Sequence, residues 1–180
     1  MNAQVATPNV SSWDTSTVTT MNGMFHAAQL ANPDVSAWNI SNVGDLSSMF
    51  RETPVANPDV SAWDTSNVDR LYYTFAQTQQ ADPQVGGWNT SNVTSMHMTF
   101  AYAAVANPDV SGWDTSKVTD MHRLFDNAPQ AQPQVGSWDT ARVEDMTALF
   151  ANLPNANPDV SGWDVSSASS MNSMFANTSV

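Results

Sequence analysis

Three pairs of side chains in the middle of this sequence have the types that recognition chemistry uses, and they recur at one spacing. Tyr72-Tyr73, His97-Met98 and His122-Arg123 follow each other at intervals of 25 residues. Tyr, Met and Arg are enriched where proteins meet partners, because each joins a large contact area to a polar, polarisable or cationic end. The same register elsewhere holds Asn22-Gly23, Ser47-Ser48, Thr147-Ala148 and Asn172-Ser173, so bulk is confined to the middle. With Arg70 and Tyr102 as extensions, the set carries two of the five Lys and Arg residues and two of the three His. This predicts a contact patch for a protein or a glycan. Free variation at exposed positions is the competing explanation, since scattered exposed apolar residues are ordinary. His97 and His122 have no carboxylate column beside them in the sequence, so no metal site and no cofactor are expected.

Three further columns invite chemistry. Trp13, Trp38, Trp63, Trp88, Trp113, Trp138 and Trp163 could form a sugar-stacking platform or a buried ladder. Burial is preferred, because seven exposed indoles would make an aggregation-prone patch. The acidic column from Asp14 to Asp164 suggests either calcium ligands or turn caps. Asn39 and Asn89 interrupt it, and Asn replaces Asp freely only in capping. Thr15, Thr65, Thr90, Thr115 and Thr140 suggest an ice-matching array, but Ile40 and Val165 break it, and β-branched packing explains it equally. No nucleophile–base pair and no glycine-rich phosphate loop stand out, so a non-catalytic chain is expected.

The elements that must position these columns follow from the period. Phe recurs from Phe25 to Phe175 and Pro from Pro8 to Pro158, in step with Trp and without an insertion. Seven units result, roughly 6–30, 31–55, 56–80, 81–105, 106–130, 131–155 and 156–180, forming a single domain over 1–180. Within a unit, "NPDVSGW" reads as a short strand with Pro at its front. "TDMHRLFDNA" places Met121, Leu124, Phe125 and Ala128 at offsets of 0, 3, 4 and 7, the pattern of one helix face. One unit is too small to bury its own apolar side, so units must stack. The expected fold is an α/β repeat solenoid, leucine-rich-repeat-like, with one parallel strand and one short helix per rung.

A paired change along the strand supports this reading. Five units carry Asp or Asn with Ser two residues on, as in Asp34 and Ser36. The other two pair Gln84 with Gly86 and Gln134 with Gly136. Residues i and i+2 share a strand face, so Gly is read as making room for Gln.

Charge narrows the partners. Seventeen acidic residues against five Lys and Arg give −12, which disfavours nucleic acid and anionic membrane surfaces. No apolar run is long enough to insert into a membrane. Cysteine is absent, which removes disulfides and thiolate zinc sites. The stretch "MNAQVATPNV" has neither a basic nor an apolar segment and is not expected to be an export signal.

"NPDVSGWDTSKVTDMHRLF" and its copies resemble the BspA-type repeat of bacterial surface proteins, a W/F-D-T-S-x-V-T-x-M-x-x-M-F core. Asp-Thr-Ser is intact at Asp14, Asp64 and Asp114, while Ala168 replaces the usual Val and Thr74 and Thr99 replace Met or Leu. The resemblance implies a leucine-rich-repeat-like module, exported and often adhesive, with no shared functional residues to carry over. The expectation is an extracellular cell-surface fragment whose export signal lies elsewhere. Its partner would be a host or neighbouring-cell protein or glycan. The alternative is a structural spacer that self-associates end to end, with ice or calcium binding as weaker options.

Overall fold

A computed structural model describes residues 9–179; Pro8 and most of the opening stretch lie outside them. The expected α/β architecture does not form. Among the described residues there is no helix and no named strand, only isolated parallel bridges running Thr20, Asp45, Arg70, Ser95, Asp120, Asp145, Ser170. Each 25-residue unit is instead a flat coil of consecutive turns, bonded to the units before and after it.

Spacing explains the correction. Phe rings of neighbouring coils stack with centroids 5.6–6.1 Å apart and planes 3–18° from parallel. Parallel bridges require backbones about 4.8 Å apart. An α-helix needs 8–10 Å from its neighbour, more than the 5.6–6.1 Å at which the Phe column holds successive coils on this side. The segment expected to be helical solves this with overlapping turns. In the fifth coil, Leu124 N–H donates to the Met121 carbonyl and Ala128 N–H to the Phe125 carbonyl. Alternate N–H groups of Met121, Arg123, Phe125 and Asn127 point sideways, to the carbonyls of Asp145, Thr147, Leu149 and Ala151 in the next coil. The polar backbone is satisfied between coils rather than along an axis.

Two residues of each such run lie in the left-handed region, for example Arg123 (φ 54°) and Asn127 (φ 55°). Positive φ at the third position of a turn marks type II geometry, which glycine adopts most easily. Only Gly23 meets that preference; thirteen non-glycine residues occupy the rest. The run still brings residues 0, 3, 4 and 7 inward, which is why it reads as helical: Met121, Leu124, Phe125 and Ala128 are all fully buried.

"NPDVSGW" is likewise a turn, closed by Trp N–H donating to the Val carbonyl three residues back. In the acid–Ser pairs of this stretch the serine hydroxyl donates to the carboxylate two residues back. Asp34 Oδ1 accepts from both the Ser36 N–H (3.2 Å) and Oγ (2.7 Å), a local turn on the surface. A Cβ added to Gly86 would lie 3.1 Å from Asp109 Oδ2 of the next coil, whereas at Gly136 the corresponding distance to Asp159 Oδ2 is 3.7 Å, an ordinary contact.

The core is a ladder of columns. Trp38, Trp63, Trp88, Trp113 and Trp138 are buried, and each indole N–H donates to a Val carbonyl 28 residues earlier at 3.0–3.2 Å. Another ladder runs on the surface: the side-chain oxygens of Asn32, Asn57, Asp82 and Asn107 each accept the N–H of the following coil's equivalent residue.

Candidate functional site

Thin coils bring the central residues closer than helices would. The Tyr73 ring lies 5.0 Å from His97, and His97 lies 4.7 Å from His122, so three coils contribute to one continuous ridge. Tyr72 meets Tyr73 edge-on at 6.3 Å. Thr74 and Thr99 are fully buried in the coils that carry Tyr73 and His97. Their hydroxyls donate to carbonyls of their own and the preceding coils, so the two departures from Met or Leu bury no unmet polar group.

The other members of the expected patch divide. Met98 is 9% exposed and offers a partner little area. Arg123 is half-exposed, with Nε 3.7 Å from the buried carboxylate of Asp126, which is held by Asn127 and Asn152 amides. Arg70 pairs with Asp45 (3.7 Å) and Asp69 (3.5 Å). Tyr102 is exposed and joins Met98 and Arg123 at the rim of an open depression of about 690 Å³.

Sequence reasoning missed four participants. The Arg51 guanidinium sits 4.6 Å from the Tyr73 ring centre, a cation–π contact from the preceding coil. Glu52 lies 3.1 Å from Arg51 Nε and 3.7 Å from His26 Nε2. Gln77 lines the depression. Asp120 Oδ2 is 3.4 Å from His97 Nδ1, and its other oxygen accepts the His122 N–H. The signal was present: these residues occupy turn columns adjacent to the expected pairs. It was unread because a helix would have pointed them elsewhere.

Electrostatics favour a neutral His122. Partial burial, then the proximity of His97, pull its pKa below the ordinary value, against the opposing pull of Asp145 and Asp120. Burial works against the Asp120 carboxylate. Hydrogen bonds from His97 and the His122 N–H outweigh it and hold the pKa low. Two buried side-chain atoms of this face, Ser47 Oγ and His97 Nε2, have no hydrogen-bond partner.

The remaining columns are structural. Asp14, Asn39, Asp64, Asn89, Asp114, Asp139 and Asp164 each accept the N–H two residues on, at 2.9–3.1 Å. The Thr column is buried, its hydroxyls donating to carbonyls of the next coil, so no threonine array faces a lattice. Among the described residues no three His, Cys, Asp or Glu side chains converge on a common point, and no helix is long and apolar enough to cross a membrane.

No curated protein and no solved structure matches the chain. A family described as "Mycoplasma protein of unknown function, DUF285" matches residues 1–109 and 100–180, in keeping with the 25-residue repeat. The two matches span the sequence, and the chain belongs to that family.

Proposed function

We propose that this chain is a non-catalytic recognition module of a bacterial cell surface, serving adhesion through contact with a protein or glycan. One observation carries the reading. The repeat varies most in bulk where Tyr73, His97 and His122 form a continuous ridge beside an open depression. The resemblance to BspA-type repeats adds the surface location and the adhesive role. Replacing Tyr72, His97 and His122 together by Ala is expected to abolish binding to host cells while leaving the unfolding midpoint within a few degrees. Undiminished binding by that variant would remove the ridge from the proposal.

A second reading, a spacer that associates end to end, is favoured by the outer coils: Trp13 is 50% exposed and Met171 46%. Light scattering across a hundredfold dilution decides it, since a mass that does not change with concentration excludes self-stacking.

A further inference from the structure

The depression beside the ridge is lined by groups of a particular balance. Gln29, Glu52, Gln77, Gln79, Tyr102 and Arg123 come from five successive coils, four strand spacings or roughly 19 Å from end to end. One carboxylate offsets one guanidinium, so the lining is formally neutral on a chain of charge −12. Its three amides offer donors and acceptors together, Glu52 accepts and Arg123 donates. Tyr102, 40% exposed, supplies an aromatic face.

Neutral, amphoteric and aromatic lining suits a polyhydroxylated ligand. Sugar hydroxyls each donate and accept, and the C–H face of a sugar ring packs on an aromatic. An extended peptide fits less well, because it needs free backbone groups along an edge. Here the N–H groups of Glu52, Gln77 and Tyr102 already donate to Ala76, Ala101 and Asp126 carbonyls at 2.8–2.9 Å. A protein surface would need an apolar centre, and the aliphatic members of this lining are two, Pro54, half-buried, and Met98, 9% exposed. An anionic ligand would meet Glu52.

Resting on the recognition reading above, we infer that this depression binds a neutral oligosaccharide, with Tyr102 as the stacking face and the Gln77 amide as a hydroxyl partner. Both residues allow a clean test. Tyr102 (φ 59°) and Gln77 (φ 61°) are left-handed, so glycine relieves backbone strain while removing the side chain.

The intact chain is applied to a printed array of neutral, sialylated and sulfated oligosaccharides, and the strongest neutral binder is titrated by calorimetry. Binding of a neutral glycan is expected, weakened about tenfold by Tyr102→Gly and about threefold by Gln77→Gly, with unfolding midpoints unchanged or raised. Neutral binding that both variants retain in full overturns the assignment, as does binding confined to sialylated or sulfated glycans. Chain that adheres to cells yet binds no glycan overturns the sugar and leaves the recognition reading standing. Chain that binds neither cells nor glycans removes both.

Discussion

The two sides of each coil differ in what they tolerate. Around Trp, Asp and Thr the seven units are nearly identical, while the pair after the Met column ranges from Asn-Gly to Tyr-Tyr. The first side is held by groups that reach into neighbouring coils: the Trp88 indole N–H to Val60, the Thr90 hydroxyl to Asp114. On the second side the backbone makes the regular inter-coil bonds, as Tyr73 N–H to His97 and Met98 N–H to His122, while side-chain contacts such as Asn22 to Asp45, His97 to Asp120 and Thr147 to Ser170 differ from coil to coil. Repetition is demanded where side chains carry the stacking, and variety is permitted where the backbone does.

The sharpest way to break this comparison is to remove a stacking side chain. Trp88→Ala should cost about 3–5 kcal/mol in urea unfolding, from the cavity and the stranded Val60 carbonyl. Trp13→Ala, at an indole half-exposed on the outer coil, should cost far less. Equal losses would mean that coil position does not set the energetics.

Thr90→Val should cost about 1 kcal/mol by the same measurement, because it removes one buried inter-coil hydrogen bond while keeping shape. Ile40 and Val165 already occupy this column, so the fold survives such a change.

On the tolerant side the effect should reverse in sign. Ser48 is left-handed at φ 56°, and Ser48→Gly should stabilise by about 0.5–1 kcal/mol. Gly23→Ala, at φ 63°, should destabilise by about as much. A destabilised Ser48→Gly chain would argue that this turn is held by its side chain.

The smallest effects concern pH. Asp34, Asp59, Asp109 and Asp159 are held below the ordinary carboxylate value, first by the Ser hydroxyl two residues on and then by its N–H. Depressed carboxylates favour the fold above the unfolded pKa of about 3.9, and that contribution is lost as pH falls through the folded values. Asp59→Asn should therefore shallow the acid limb of a stability–pH curve. His122 acts in a separate window. Its lowered folded value means that acidification below about 6.5 protonates the unfolded chain first, so stability declines there. His122→Gln should remove that decline and change the limb below pH 4 only slightly, through the loss of its charge beside Asp120.

Much was legible without coordinates. The Trp column reads correctly as core, and the Asp/Asn column reads correctly as turn caps, because burial preference and hydrogen-bonding chemistry belong to residue types. Met121, Leu124, Phe125 and Ala128 point inward as their spacing requires. The reading failed on what backbone joined them, since offsets of 0, 3, 4 and 7 arise from a helix or from overlapping turns. Of the expected patch, the ring proximity of Tyr73, His97 and His122 is legible from their common spacing, whereas the contacts of Arg51, Glu52 and Asp120 are not, because they depend on the turn.

The period, the number of units and the identity of the inward columns are thus properties of the amino-acid order alone, since each follows from counting residue types at one interval. The thickness of a coil is not. It is set by whether a peptide N–H bonds to its own unit or to the next, a choice made by neighbours 24 or 25 residues away. Only the assembled stack decides it, and with it the spacing that draws the ridge together.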